Sequence, residues 1–250
     1  MQKYIHTQTD AHGDIAVIDI GEQRILSFGE GDEQSLQLKA QPELLQHPYT
    51  QAMMISLLFC TPKRVLLLGL GAGSLLNSLH HTIPGVRIEA VELRQGVIDV
   101  AKKYFRLVSG KKIQLHCQGA REFLKVGVEK KVDLLMTDLY TYKGMDDTQV
   151  SGEFIDLCAQ QLKVNGWLVI NCWGTTADHK PLFQHLGRIF ADVRSCESGD
   201  GNLVIFAGRQ KDLKSQAVLK EMAARQALTL GFNLSRYLTH LESYIRSKKK

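Results

Sequence analysis

The segment Val65-Leu66-Leu67-Leu68-Gly69-Leu70-Gly71-Ala72-Gly73-Ser74-Leu75-Leu76 limits what this chain can fold into more than any other. Its apolar run opens on a β-branched residue and reads as a strand buried on both faces. Three glycines at alternate positions follow, and then a helix-like run from Ser74 to His81. Strand, glycine turn and helix in that order let a backbone approach a nucleotide and point free N–H groups at it. The same string also serves as a plain strand-to-helix turn, so the rest of the chain has to decide.

Upstream, residues 14–28 alternate on either side of Gly21, the signature of a β-hairpin, before Gly29-Glu30-Gly31-Asp32 breaks the pattern. Residues 34–46 carry no firm period. Pro48 is placed to open a helix over Tyr49–Phe59. Downstream, strand and helix patterns alternate: strands at 86–92, 113–117, 132–138 and 166–172, with helices at 97–105, 120–128, 154–162 and 180–190 between and after them. This predicts an α/β fold with a doubly wound, mostly parallel sheet, closed by an antiparallel edge from 193–196 and 202–207 around Gly199-Asp200-Gly201. Residues 211–248 are expected to be helical, with Leu213, Val218, Leu219 and Met222 as one stripe and Leu238, Leu241, Tyr244 and Ile245 as another. The expected division is a small β-rich unit at 1–47, a nucleotide-binding unit at 48–210 and a helical extension at 211–250.

At 250 residues, 44% hydrophobic and 23% charged, the chain can bury a full α/β core. Part of its net charge of +5 lies in the terminal Arg246-Ser247-Lys248-Lys249-Lys250, which is expected to be a solvated tail. No basic stripe interleaved with aromatics appears elsewhere, so no nucleic-acid partner is expected. The five cysteines (Cys60, Cys117, Cys158, Cys172, Cys196) form no C-x-x-C pair, which argues against a zinc site or a disulfide framework. His80, His81 and His116 have no ligand-spaced partners, so no metal is expected. No apolar leader or membrane-length run is visible, and a cytoplasmic setting follows as the expectation.

In an open parallel sheet, ligands bind at the carboxyl ends of the strands. The glycines 69–73, Glu92 and Asp138 all fall there. Glu92 follows the turn by about the ~20 residues at which an acid meets a ribose hydroxyl pair. Asp138 ends a buried strand, where a carboxylate needs a partner; as a helix cap or turn acid it would also be ordinary. Ser74 is expected to cap its helix rather than act as a nucleophile.

Taken as a set, Gly69-Leu70-Gly71-Ala72-Gly73-Ser74-Leu75, Val91-Glu92-Leu93, Gly119-Ala120-Arg121-Glu122-Phe123-Leu124, Asp133 to Asp138 and Gly166 to Asn171 resemble the spermidine synthases. Gln34-Ser35, Tyr49-Thr50-Gln51-Ala52-Met53, Asn171-Cys172-Trp173-Gly174 and Gly201-Asn202-Leu203-Val204 are similar to a bacterial spermidine synthase-like branch. The resemblance covers roughly residues 13–208. It implies a Rossmann-like domain of the class I methyltransferase type behind a small N-terminal β-hairpin domain, and a homodimer. It also implies decarboxylated S-adenosylmethionine as a co-substrate, no permanently bound cofactor, and a small-molecule amine as acceptor. In that frame Gln34, Gly69, Gly71, Ala72, Gly73, Glu92, Leu93, Gln118 and Gly119 bind the donor, and Asp138 is the general base. Tyr49, Tyr140, Thr141 and Trp173 line the acceptor side.

The chain departs from the family at the acid of the glycine turn, here Ala72, and at the acid three residues after the catalytic one, here Thr141. Each lost charge-assisted hydrogen bond is worth roughly 1.5–3 kcal/mol. Asp146 and Asp147 carry negative charge into the same loop. Three readings therefore stand: an aminopropyltransferase-like enzyme, a methyltransferase using S-adenosylmethionine, and a non-catalytic adenosyl-binding homologue. A dinucleotide dehydrogenase is disfavoured because Ser74 stands where Gly-x-Gly-x-x-Gly requires glycine.

Overall fold

The computed structural model describes residues 2–29, 32–142 and 144–244. Four antiparallel strands come first, in sequential order: β1 (Gln2–Asp10), β2 (Gly13–Ile20), β3 (Gln23–Ser27) and β4 (Ser35–Leu38). The β2–β3 pair is the expected hairpin. Strand β1 carries almost no buried side chain, so its sequence shows no alternation, and its ladder to β2 holds it in place. The Glu30-Gly31 part of the break lies outside the described residues. Two short helices follow, α1 (Pro48–Met53) and α2 (Ser56–Phe59), instead of one helix over Tyr49–Phe59. Every residue from Ala52 to Phe59 is buried, so packing on all sides overrides the single helical face. The break falls where the Ser56 hydroxyl takes the Met53 carbonyl at 2.8 Å.

The alternating part then runs β5 (Arg64–Leu68), α3 (Ser74–Thr82), β6 (Arg87–Glu92), α4 (Gln95–Tyr104), β7 (Ile113–Cys117), α5 (Ala120–Val126) and β8 (Val132–Thr137). A two-strand excursion, β9 (Tyr140–Thr141) and β10 (Gly144–Met145), leads through a 3-10 turn at Asp147–Val150 to α6 (Gly152–Gln161). The chain closes with β11 (Leu162–Trp173), α7 (Lys180–Ile189), β12 (Asp192–Glu197), β13 (Asn202–Gly208), α8 (Gln216–Leu230), α9 (Ser235–Leu238) and β14 (Leu241–Ser243). The central sheet has the order β14-β12-β13-β11-β8-β5-β6-β7. It is parallel from β11 to β7, while β13 is antiparallel to both β11 and β12. The chain leaves β5 to one side for β6 and β7, then returns to the other for β8. The β5/β8 crevice is therefore the topological switch point.

Both faces of the sheet are covered. Val65 and Leu67 of β5 join the apolar layer that includes Met53, Leu58, Leu79 and Leu219, while Leu66 and Leu68 join the layer of Phe154, Ile155, Phe183 and Leu186. That two-sided burial is why β5 is a continuous apolar run. A third cluster places Ile15, Val17, Leu26 and Phe28 of the N-terminal sheet against Val97, Val100 and Phe105. Arg94 clamps this joint, donating to Asp10 at 3.0 Å and to the Gly13 carbonyl at 2.7 Å, with its guanidinium over the Phe28 ring.

The C-terminal segment is not continuously helical. Leu241 belongs to β14, which pairs with β12 at the sheet edge, so Leu238, Leu241 and Tyr244 do not form a helical stripe. Ile245 and the terminal Arg246–Lys250 lie outside the described residues. In the other stripe Leu219 is buried and Met222 half-buried, but Leu213 and Val218 face solvent. Helices α8 and α9 sit over α1 and α2, where the Tyr237 hydroxyl donates to Gln51 at 2.8 Å and Gln226 to the Leu57 carbonyl at 3.2 Å. Among the described residues no helix is long and apolar enough to cross a membrane.

Candidate active site

Three strand ends are laced together at the switch point. The Gly69 N–H donates to the Val91 carbonyl and the Asp138 N–H to the Leu68 carbonyl, both at 2.9 Å. Gly69 has φ +94°, and a Cβ there would collide with the Asp138 carbonyl. Only glycine lets the turn pass this close to the end of β8.

Glu92 closes the turn from β6. One carboxylate oxygen accepts the Leu70 N–H at 3.1 Å and the other the Arg94 N–H at 3.0 Å. Burial raises its pKa, and the backbone donors, Gly71 included, pull it back. A carboxylate offers about four acceptor positions, so these donors leave room for another. Leu93 follows Glu92 with nearly half of its surface exposed, and Gln118 is exposed where its N–H returns to the Glu92 carbonyl at 3.0 Å. Gly119 is the cap of α5.

On the N-terminal side, the Ser35 hydroxyl accepts the Ala72 N–H at 3.1 Å, the contact that ties β4 to the glycine turn. The Gln34 amide instead donates to both oxygens of Asp32 at 2.9 Å. Ala72 is fully buried in the cluster of Phe28, Val97 and Phe105. Gly73 caps α3; Ser74 is its first helical residue rather than the cap, and its hydroxyl is buried without a hydrogen-bond partner.

Across the crevice, Asp138 accepts from the Asn171 amide at 2.9 Å through Oδ1 and from the Tyr49 hydroxyl at 3.3 Å through Oδ2. Both partners are neutral. Burial raises the Asp138 pKa, opposed in turn by Asn171, Tyr49 and the nearby His47. The Tyr49 phenol is pushed well above its ordinary value by burial and by the Asp138 charge. Tyr140, raised by burial and Asp138, donates to the Asn202 side chain at 3.2 Å. Trp173 ends β11, 59% exposed, with its backbone N–H on the Met145 sulfur at 3.4 Å.

The acceptor-side residues do not all converge. Tyr49 and Asp138 touch, and Tyr140 is close enough to feel Asp138, whereas the exposed Thr141 turns its hydroxyl to the Gly144 carbonyl at 3.3 Å. Asp146 is used as the cap of the 3-10 turn, and Asp147 is exposed. Three residues escape a reading of the sequence: Ser35, Asn171 and Asp200. Each lies within a recognisable motif, but its contact joins elements far apart in the chain. Among the described residues no cluster of His, Cys, Asp or Glu is placed to hold a metal, and all five cysteines are free thiols.

A mostly parallel sheet covered on both faces, with a glycine turn at its switch point and carboxylates on the flanking strand ends, defines a doubly wound α/β protein. The spermine/spermidine synthase domain model matches residues 42–197, and the chain belongs to that family. It is 26% identical over 253 residues to the polyamine aminopropyltransferase of Vibrio vulnificus, covering 96% of this chain and 82% of the relative. The fold matches a probable spermidine synthase from Corynebacterium glutamicum with TM-score 0.78 at 15% identity, covering 98% of both chains. It also matches human methyltransferase-like protein 13 in complex with SAH, with TM-score 0.63 at 20% identity, over 81% of this chain and 97% of that one.

Proposed function

We propose that the chain is an aminopropyltransferase that moves the aminopropyl group of decarboxylated S-adenosylmethionine onto a small-molecule amine. The observation that carries this reading is Asp138, a half-buried carboxylate at the switch point held by two neutral hydrogen-bond partners. An alkylamine has a pKa near ~10.4 and arrives protonated at neutral pH. Asp138 attracts that cation, aligns its nitrogen and accepts its proton. The nitrogen then attacks the carbon next to sulfur, the N–C bond forms, and the C–S bond breaks with its electron pair on sulfur. Methylthioadenosine, a neutral thioether, leaves.

In this reading the free lone pairs of Glu92 take the ribose hydroxyls and the backbone of Gly69–Gly73 borders the sulfonium. The exposed Leu93 packs on the adenine, with Gln118 and Gly119 at its edge. Gln34 reaches the donor only by releasing Asp32, so Ser35 is the better-placed neighbour of the turn. Tyr49, Tyr140 and Trp173 wall the acceptor, with Thr141 at the periphery. The working unit is a homodimer in a reducing cytoplasmic setting.

Ala72 favours a second reading. Buried against Phe28, it offers no carboxylate to an aminopropyl ammonium, and a methyltransferase using intact S-adenosylmethionine needs none. Incubating the protein with each donor and an amine, and weighing the products by mass spectrometry, separates the two. A gain of an aminopropyl group supports the first reading, and a gain of one methyl group replaces it with the second. Calorimetry with methylthioadenosine checks the adenosyl site itself; absence of binding at millimolar ligand removes both.

A further inference from the structure

The reaction as proposed uses one carboxylate on the acceptor side, yet the structure places a second one there. Asp200 sits in Gly199-Asp200-Gly201, at the tip of the β12–β13 hairpin. Its Oδ2 accepts the backbone N–H of Tyr49 at 3.3 Å, and the hydroxyl of the same tyrosine donates to Asp138. One tyrosine therefore bridges both carboxylates, with its backbone N–H on Asp200 and its hydroxyl on Asp138. The rest of the hairpin tip faces the same space. Asn202 accepts from the Tyr140 hydroxyl, and a Cβ on Gly201 would come within 2.9 Å of the Trp173 ring.

Two observations point to a cationic ligand between these groups. The first concerns Asn171, which is 1% exposed. The ionised Asp138 carboxylate only accepts hydrogen bonds, so the amide nitrogen of Asn171 must face it. The Asn171 Oδ1 is then left as a buried acceptor with no hydrogen-bond partner. A buried acceptor of this kind calls for a donor that arrives with a ligand.

The second concerns the lone pairs of Asp200. Its Oδ1 accepts the Ser198 hydroxyl and, at 3.4 Å, the Asn202 N–H, while Oδ2 holds only the Tyr49 N–H. With about four acceptor positions on a carboxylate, one on Oδ2 remains open. Among the described residues no lysine or arginine pairs with Asp200 or with Asp138. The charge of Asp200 is felt by both Tyr49 and Tyr140, whose phenols it pushes up, and so reaches the space they share.

We infer that Asp200 selects the acceptor: it binds the ammonium remote from the reacting nitrogen of a linear diamine, while Asp138 and the Asn171 carbonyl take the N–H bonds of the reacting end. This rests on the aminopropyl transfer proposed above. Thr141 brings no charge to the acceptor, and the hairpin tip supplies the missing carboxylate from a different part of the chain.

The test is calorimetry on the full chain saturated with methylthioadenosine, titrated with 1,4-diaminobutane and with n-butylamine. The wild type is expected to bind the diamine about tenfold or more tightly than the monoamine, the size of one charge-assisted hydrogen bond. Asp200→Asn keeps an acceptor oxygen for the hairpin and is expected to cut that ratio to below about twofold. Asp200→Ser should do the same. A ratio near unity in the wild type, a ratio that persists in the variants, or loss of methylthioadenosine binding in both variants overturns the assignment. In the last case Asp200 merely holds the hairpin. If the wild type binds methylthioadenosine but neither amine, the assignment falls while the adenosyl site stands. If methylthioadenosine itself does not bind, the functional reading falls first.

Discussion

Asp138 carries two opposing demands, one from folding and one from chemistry. Burial raises its pKa above the carboxylate value of 3.8, so the folded chain holds its proton more tightly than the unfolded chain does. Between the unfolded and folded values the native state binds the extra proton, and stability falls as pH rises through that window. Above it the full cost of desolvating the ionised carboxylate is present. Asp138→Asn is therefore expected to raise the thermal midpoint at neutral pH and to lose that advantage in acid. With Asp138 as the general base, the same substitution lowers transfer by on the order of 10²–10⁴. The pH profile carries the same sign. Activity should fall as pH drops through the raised Asp138 value, and Asn171→Leu, which removes a donor to the carboxylate, should move that acidic limb to higher pH. A limb that stays in place in Asn171→Leu would show that another group titrates.

At the scale of elements, the glycine turn works because strand ends approach closely. Gly69→Ala puts a methyl group into the Asp138 carbonyl at a backbone angle that side chains rarely adopt. It is expected to weaken methylthioadenosine binding and to lower stability by about 1–3 kcal/mol, measured by calorimetry and urea unfolding. Much of this level is legible in the sequence. Runs such as Val65–Leu68 and Leu134–Met136 are apolar because both faces of their strands are buried, and Asp138, just past the second, stands out. The illegible parts share a physical cause: long-range pairing replaces local pattern. Strand β1 is polar because its side chains face solvent, and β14 looks like the end of a helix until β12 offers it an edge. The break between α1 and α2 arises from burial on every side. Ser35, Asn171 and Asp200 are hidden for the same reason. Each acts through a contact with a residue at least 33 positions away.

For the whole molecule, the joint between the N-terminal sheet and the main sheet rests on apolar packing and on Arg94. Asp10 is held below the ordinary carboxylate range by its hydrogen bonds and ion pair with Arg94, against the opposing effect of its own burial. Its contribution to stability is present at neutral pH and fades as pH falls through its depressed value. Arg94→Ala removes the guanidinium from two carbonyls, a carboxylate and the Phe28 ring together. Since Asp10 retains some access to water, the expected loss is about 2 kcal/mol, read from urea unfolding. Light scattering of the purified protein should give twice the 28.0 kDa chain mass, and a single-chain mass at micromolar concentration would contradict the homodimer.

Aminopropyl transfer at this site has Asp138 as its proposed base. Its most direct test follows methylthioadenosine release from decarboxylated S-adenosylmethionine in the presence of a linear diamine, with the amine product weighed in the same sample. Aminopropyl transfer predicts equimolar methylthioadenosine and aminopropylated amine from the wild type, and a rate at least about 10²-fold lower from Asp138→Asn. Release without a matching amine product, no release at all, or an Asp138→Asn variant as fast as the wild type would contradict it.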